Sequence, residues 1–271
     1  IALAGDDESG RLLADLLQCS GVDVTGIVAD SNRPTTTKMR VIGGHQQMLR
    51  LDSESSAEPD QNLQAKLRDA VIAKLDSASA VILSDYAKGV LTPWICQEVI
   101  AACRDRSIPV LVDPKGRNWD KYRGATLITP NRSELAVVCE ADISDLGNLV
   151  LEGRRIQNEL ALSALTVTLS EEGMIHIDRQ SAIRVPAMAR EVFDVSGAGD
   201  TAIATLTGAL AAGLTESDSL VLANIAAGIV VGKVGTMPLG KSELLAELRG
   251  LASYDSLDGK ICSRSTAKQL I

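Results

Sequence analysis

Four short apolar runs, at residues 80–83, 110–112, 126–128 and 164–169, constrain this chain more than any other feature. They are separated by segments of helical pattern, and such strand–helix alternation specifies a parallel sheet with helices on its faces. The run Ala80-Val81-Ile82-Leu83 is apolar at every position, as a strand covered on both faces should be. Around this centre the pattern predicts strands at 1–5 and 22–28, with a helix near 11–20 between them. Helices are expected at 93–105 and 149–162, and a hairpin at 174–177 and 183–185. Two runs dense in small residues, 201–212 and 218–234, read as helices, and 241–249 as the last one. Residues 35–51 alternate around Gly43-Gly44 as a two-stranded ribbon would, and 52–62 reads as a polar loop.

In an open α/β sheet, ligands gather beyond the carboxyl ends of the strands. Four polar clusters fall there: Ser84-Asp85-Tyr86-Ala87-Lys88-Gly89, Asp113-Pro114-Lys115-Gly116, Thr129-Pro130-Asn131-Arg132-Ser133-Glu134 and Ser170-Glu171-Glu172-Gly173. Each alone is ordinary turn chemistry, since Asp, Asn, Pro and Gly favour turns. Four on one rim point to a site. Asn131 and Glu134 suit a nucleotide's phosphates held through Mg²⁺ and its waters, because Mg²⁺ keeps waters and takes few carboxylates. The alternative for Glu134 is a first-turn acid on the helix after Pro130.

The stretch Asp194-Val195-Ser196-Gly197-Ala198-Gly199-Asp200-Thr201 sets two glycines directly before a small-residue helical run. Bare N–H groups at a helix N-terminus, together with the macrodipole, favour an anion. An acid at Asp200 would repel a bound phosphate, which is understandable if it takes the proton from an attacking hydroxyl. The alternative is an Asp that only caps.

Composition excludes several classes. With 271 residues the chain suits one large α/β domain or two small ones, and 45% hydrophobic content provides a core. Net charge is -8 and aromatics are 2%, so the basic, aromatic-bearing patch of a nucleic-acid binder is missing. No apolar run approaches the ~20 residues that span a bilayer. No signal-peptide pattern opens the chain, and a cytoplasmic location is expected. The five cysteines are scattered without a CxxC, and are expected as buried free thiols in a reducing compartment. GxxxxGK[ST] is absent, which removes a P-loop. GxGxxG is absent after the first strand, which disfavours an NAD-linked oxidoreductase.

The Asp194–Thr201 stretch resembles the signature of the ribokinase-like (PfkB) carbohydrate kinases. The resemblance implies an α/β fold with a mostly parallel central sheet flanked by helices, and a small β lid formed by the 35–51 ribbon. It implies Asp200 as catalytic base, with Gly197, Ala198 and Gly199 supplying N–H groups to the transferring phosphoryl group. Asn131 and Glu134 match the family's Asn-x-x-Glu element near Mg²⁺, Glu134 acting on the metal through water. Thr168, Ser170 and Gly173 fall where that family contacts ATP, and Asn224 lies in the helix lining the nucleotide pocket.

Shorter motifs resemble the heptose-7-phosphate kinase branch: Thr35-Thr36-Thr37-Lys38-Met39-Arg40, His45-Gln46-Gln47-Met48-Leu49-Arg50-Leu51-Asp52, the first two rim clusters, and Val230-Val231-Gly232-Lys233-Val234-Gly235-Thr236. That branch phosphorylates O1 of D-glycero-β-D-manno-heptose 7-phosphate with ATP, toward ADP-heptose and the lipopolysaccharide core. Lys38, Arg40, Lys88 and Lys115 are candidate cations for the 7-phosphate, each otherwise a solvated surface charge. Lids of this family often pair, which implies a homodimer. The family's Gly-Gly-x-Ala-x-Asn sugar-gripping segment is absent. Residues 1–250 are therefore expected as an N-terminally incomplete kinase domain with part of its lid missing. Residues 251–271 are expected as a linker, its Gly259-Lys260-Ile261-Cys262-Ser263-Arg264 resembling the approach to a nucleotidyltransferase. Two alternatives stand beside this reading: a kinase of another sugar, such as a hexose phosphate, ribose or a nucleoside, and a non-catalytic ligand-binding domain.

Overall fold

A computed structural model describes residues 1–44, 46–188 and 192–258, with side chains up to 250. His45 and the 259–264 motif lie outside the described residues. Strand β1 (Ala2–Gly5) pairs in parallel with β2 (Ile27–Asp30), and helix α1 (Glu8–Cys19) connects them. Asp7 caps α1, accepting the Gly10 N–H at 2.7 Å. The same carboxylate takes the N–H and hydroxyl of Thr35 at 2.8 and 2.7 Å. That ties the start of the helix to the chain entering the ribbon. β2 begins at Ile27 rather than at 22, because Asp23 Oδ1 accepts both the N–H and the hydroxyl of Thr25. Such a local side-chain turn competes with the extended chain.

The ribbon forms as expected, from β3 (Thr37–Gly43) and β4 (Gln46–Ser53). The strands are antiparallel, with Lys38 opposite Asp52, Met39 opposite Leu51, Arg40 opposite Arg50 and Val41 opposite Leu49. Side chains alternate across a strand, so this register gives two unlike faces. Met39, Val41, Leu49 and Leu51 share one face and are all exposed. Lys38, Arg40, Arg50 and Asp52 share the other.

Helix α2 (Gln61–Leu75), capped by Asp60, has no clean apolar stripe and buries only Leu67 and Leu75. The sequence pattern accordingly left it unmarked. Then follow β5 (Val81–Ser84), α3 (Pro93–Arg104), β6 (Val110–Asp113), β7 (Leu127–Ile128), α4 (Arg132–Cys139), α5 (Leu146–Glu159) and β8 (Ala164–Thr168). β5 to β8 run parallel in register, as the alternation of elements requires. With β9 (Met174–Asp178) and β10 (Ala182–Val185) the hydrogen-bonded order is β10-β9-β8-β7-β6-β5. Leu111, Val112, Ile128, Leu165 and Val167 are fully buried, consistent with helices on both faces.

The remaining helices are α6 (Ala198–Ala211), α7 (Glu216–Val231) and α8 (Lys241–Asp258). α8 continues through 251–258, where a linker was expected to begin. Two compact units are distinguishable: Ile1–Thr168 with His176–Ala182, and Leu169–Ile175 with the chain from Ile183 onward. In the second, Met174, Val185, Ala202 and Leu220 form a buried cluster flanked by Ile183 and Ala227.

Cys96, Cys103 and Cys139 are buried free thiols as expected, and burial pushes Cys96 up to about 12. Cys19 departs from that expectation: it ends α1 and is exposed. Cys262 lies outside the described residues. Among the described residues, no helix is long and apolar enough to cross a membrane.

The ribbon's outgoing leg packs on the loop after β5. There Gly89 has φ 79°, and a Cβ on it would lie 2.2 Å from the Ala57 carbonyl oxygen. Gly89→Ala is therefore expected to cost more than about 1 kcal/mol, lowering the thermal midpoint by several degrees. An unchanged midpoint in a calorimetric scan would show that the root is not packed this way.

Candidate functional site

In the first unit the loops at the carboxyl ends of β5 and β6 are bound together by a buried carboxylate. Asp85, 6% exposed, accepts the Ala87 N–H on Oδ1. Its Oδ2 accepts from Lys121 Nζ at 2.5 Å and from the Tyr122 hydroxyl at 2.6 Å. The hydroxyl in turn accepts the backbone N–H of Lys115 at 3.3 Å. Burial, and then the bond to Asp85, raise the Tyr122 pKa far above the ordinary phenol range, so the hydroxyl stays a donor. Asp85, which stood on the rim as a candidate in sequence, is thus an internal anchor. Lys121 and Tyr122 gave no sequence signal, because their partner lies 36 and 37 residues away.

Lys115 reaches from this anchored loop to Glu134, its Nζ 2.6 Å from Oε1. That bond comes first among the causes raising the Lys115 pKa, so the ammonium stays charged. Glu134 Oε2 accepts the Asn131 N–H at 3.0 Å, while Asn131 Oδ1 accepts the Glu134 N–H at 2.9 Å. The two residues form a capping box at the start of α4. Both readings of Glu134 therefore meet in one residue. It is a first-turn acid, and it stands on the rim with a lysine beside it. A carboxylate has about four acceptor directions, of which two are used here, so Glu134 retains capacity for metal-bound waters. As a hard oxygen donor it suits Mg²⁺ held through water. Thr168, the last residue of β8, donates its N–H to Pro130 O at 3.0 Å and bridges to Asn131.

The other cations separate from Lys115. Lys38 Nζ lies 3.5 Å from Glu54 Oε2, and Lys88 Nζ pairs with Glu54 Oε1. Two candidates 50 positions apart in sequence thus converge on one carboxylate that sequence reading assigned to a loop. Arg40 lies on the same face of the ribbon as Lys38.

The second unit holds the glycine-rich turn. Asp194 Oδ1 accepts the Ser196 N–H at 2.9 Å, which turns the chain toward Gly197. Gly197 has φ 82° and stands as N-cap of α6. No side chain caps this helix. Helices α1 to α5 and α7 are each capped, by Asp7, Asp60, Thr92, Asn131, Asp145 and Thr215. At α6 the Ala198 N–H donates to the Val195 carbonyl at 3.3 Å, and Gly199 in the same turn is exposed, where a helix N-terminus suits an anion. Asp200, the third residue of α6, is exposed beside them. Ser170 and Gly173 close a tight turn, the Gly173 N–H donating to Ser170 O at 3.1 Å. Asn224 is 4% exposed and donates Nδ2 to Pro186 O at 2.7 Å. Its amide holds α7 to the chain after β10.

Residues 1–242 match the model of the "pfkB family carbohydrate kinase". The chain is 48% identical over 260 residues to bifunctional protein HldE of Methylobacillus flagellatus, covering 96% of this chain and 53% of that protein. It is 46% identical over 275 residues to HldE of Magnetococcus marinus, covering 100% and 56%. The chain thus spans about half the length of the curated relatives it matches. Among solved structures, Escherichia coli phosphofructokinase-2 superposes with TM-score 0.77 at 18% identity, over 90% of this chain and 79% of that one. Arabidopsis thaliana ribokinase, solved with ribose and ATP, gives 0.73 at 20% identity, over 91% and 80%. These likenesses give the fold.

Tyr122→Phe removes one bond to a buried carboxylate and leaves the Lys115 N–H without its acceptor. It is expected to cost about 1–3 kcal/mol, read as a lower urea midpoint at unchanged m-value. No shift in midpoint would mean that the rim does not depend on this hydroxyl.

Proposed function

Because this chain belongs to the PfkB family of carbohydrate kinases, we propose that it phosphorylates O1 of D-glycero-β-D-manno-heptose 7-phosphate with ATP. The product would be the 1,7-bisphosphate, on the route to ADP-heptose. The observation that carries the kinase chemistry is the uncapped start of α6, with Asp200 in its first turn. The heptose is supported by the extent of likeness to HldE proteins.

In this reading Asp200 accepts the proton of the acceptor hydroxyl, and the oxygen attacks the γ-phosphorus in line. The bond from phosphorus to the β,γ-bridging oxygen breaks, and ADP leaves. Backbone N–H groups at Gly197, Ala198 and Gly199 donate to the phosphoryl oxygens as charge develops on them. Asn131 and Glu134 would hold the metal through its waters, and Thr168, Ser170 and Gly173 would contact the nucleotide. Asn224 supports the nucleotide side from within α7. Mg²⁺, when bound, supplies neutralisation of the polyphosphate charge. We place the enzyme in the cytoplasm, where ATP is available.

Asp200→Asn should retain ATP binding in a calorimetric titration and lose about 10²–10⁴-fold in kcat. Near-normal turnover would remove Asp200 as the base. Assayed against the heptose 7-phosphate, fructose 6-phosphate and ribose, the protein is expected to turn over the heptose alone. Turnover of another sugar would keep the kinase and discard the heptose. Silence with all three would favour a ligand-binding domain.

We further propose a homodimer through the apolar ribbon face, where Met39, Leu49 and Leu51 are each at least half exposed. Leu49→Glu is then expected to shift the sedimentation coefficient from dimer to monomer. A wild-type monomer at the same concentration would overturn the pairing.

A further inference from the structure

The amino ends of the parallel strands, opposite the rim, hold an open cleft of about 360 Å³. That volume falls within the range of small-molecule sites. The cleft belongs to the first unit: Pro109 leads into β6, Thr126 precedes β7 and Ser163 precedes β8. Ile100 and Val110, each 2% exposed, are its buried apolar lining. The turns that close α3 and α5 supply Arg104, Ser107 and Ala161.

The helix ends around the cleft are already satisfied. In α3 the carbonyls of Ala101, Cys103 and Arg104 accept the N–H of Asp105, Ile108 and Ser107, and that of Ala102 accepts Arg106 Nη1. In α5 the carbonyls of Ile156, Gln157 and Asn158 accept the N–H of Leu160, Leu162 and Ala161, and that of Glu159 accepts Arg123 Nη1. Arg106 and Arg123 are also paired, with Asp76 and Asp120. Thr126 Oγ1 accepts the Val110 N–H at 2.9 Å. What is left over is a set of side-chain donors. Among the described residues, no hydrogen bond or ion pair engages the Arg104 guanidinium or the hydroxyls of Ser107 and Ser163. No acid lines the cleft. Ser107 itself stands at φ 57°, where glycine is the usual residue closing a helix. A serine is kept there against that preference, and what it adds over glycine is the hydroxyl.

We infer that this cleft binds a small organic carboxylate, its head on the Arg104 guanidinium and the Ser107 hydroxyl and its apolar body against Ile108 and Pro109. A guanidinium meets a carboxylate as a two-bond fork. Charge selects the head. One spare cation balances one negative charge, and the carboxyl-terminal dipole of α3 beside it disfavours a second. A phosphomonoester, with about two negative charges at neutral pH, is the poorer match. The cleft and the rim lie at opposite ends of the same strands, so its occupant is an effector and not a substrate.

The test is calorimetric titration of the whole chain with three probes of similar apolar body: hexanoate, hexyl phosphate and hexanol. Hexanoate is expected to bind with a Kd of about 1 mM or tighter, as its size permits, and the other two at least about tenfold more weakly. Arg104→Gln should weaken hexanoate about tenfold or more, and Arg104→Lys, which keeps the charge without the fork, by less. Ser107→Gly should weaken it several-fold while raising the thermal midpoint, which separates loss of the hydroxyl from loss of the fold. Absent hexanoate binding in the wild type, equal binding of hexanol, or binding that neither Arg104→Gln nor Ser107→Gly weakens would overturn the site. Hexyl phosphate binding more tightly than hexanoate would overturn the carboxylate.

Discussion

The arrangement of the first unit depends on one buried carboxylate. Asp85 satisfies a lysine, a phenol and a backbone N–H at once, drawn from the loop after β5 and from the turn at Lys121 and Tyr122. A charge this deep is tolerable only when every partner is in place, and losing one leaves the others exposed to an uncompensated ion. The consequence is geometric. Loops from separate strands share one anchor, so the backbone of Lys115 and, through it, the Lys115–Glu134 contact are fixed relative to the root of the ribbon. Rigid support beneath mobile side chains is how a fold keeps a site in register while its surface groups exchange partners.

The second unit works by omission. Six helix starts in this chain are closed by Asp, Asn or Thr side chains, and α6 opens with Gly197 and no side-chain cap. An Asp, Asn or Ser at 197 would satisfy one of the first-turn donors and thereby blunt it for a ligand. Stability that a side-chain cap would add is given up at this helix end.

Much of this was legible in the sequence because it is local. Strand–helix alternation gives the parallel order of β5 to β8, the Gly-Ala-Gly-Asp run gives the start of α6, and the alternation around Gly43-Gly44 gives the ribbon. The Asn131–Glu134 spacing is also that of a capping box, which is equally local and which the structure contains. What was not legible is what depends on distant partners. Glu54 sits in an acidic, proline-containing stretch with the composition of a loop. Its role emerges only when Lys38 and Lys88 meet it. The bond from Asn224 to the Pro186 carbonyl, across 38 residues, is of the same kind. The early start predicted for β2 failed for a local reason, the Asp23–Thr25 turn, which periodicity does not weigh.

The two-faced ribbon has an implication for how such a chain can change over evolutionary time. Residues 38 and 40 of β3 face one way and 39 and 41 the other, so a charged and an apolar face are written in interleaved positions of the same strands. Substitutions at Arg40 or Arg50 can alter the charged face without disturbing Met39 or Leu51, which allows lineages to diverge in one face while conserving the other. A single-residue insertion or deletion offers no such freedom. It would turn the apolar residues toward the rim and the charges outward together. The irregularity between Val41 and Ile42 lies beyond both pairs of arginines and leucines, toward the tip. Length variation can accumulate there at least cost to either face.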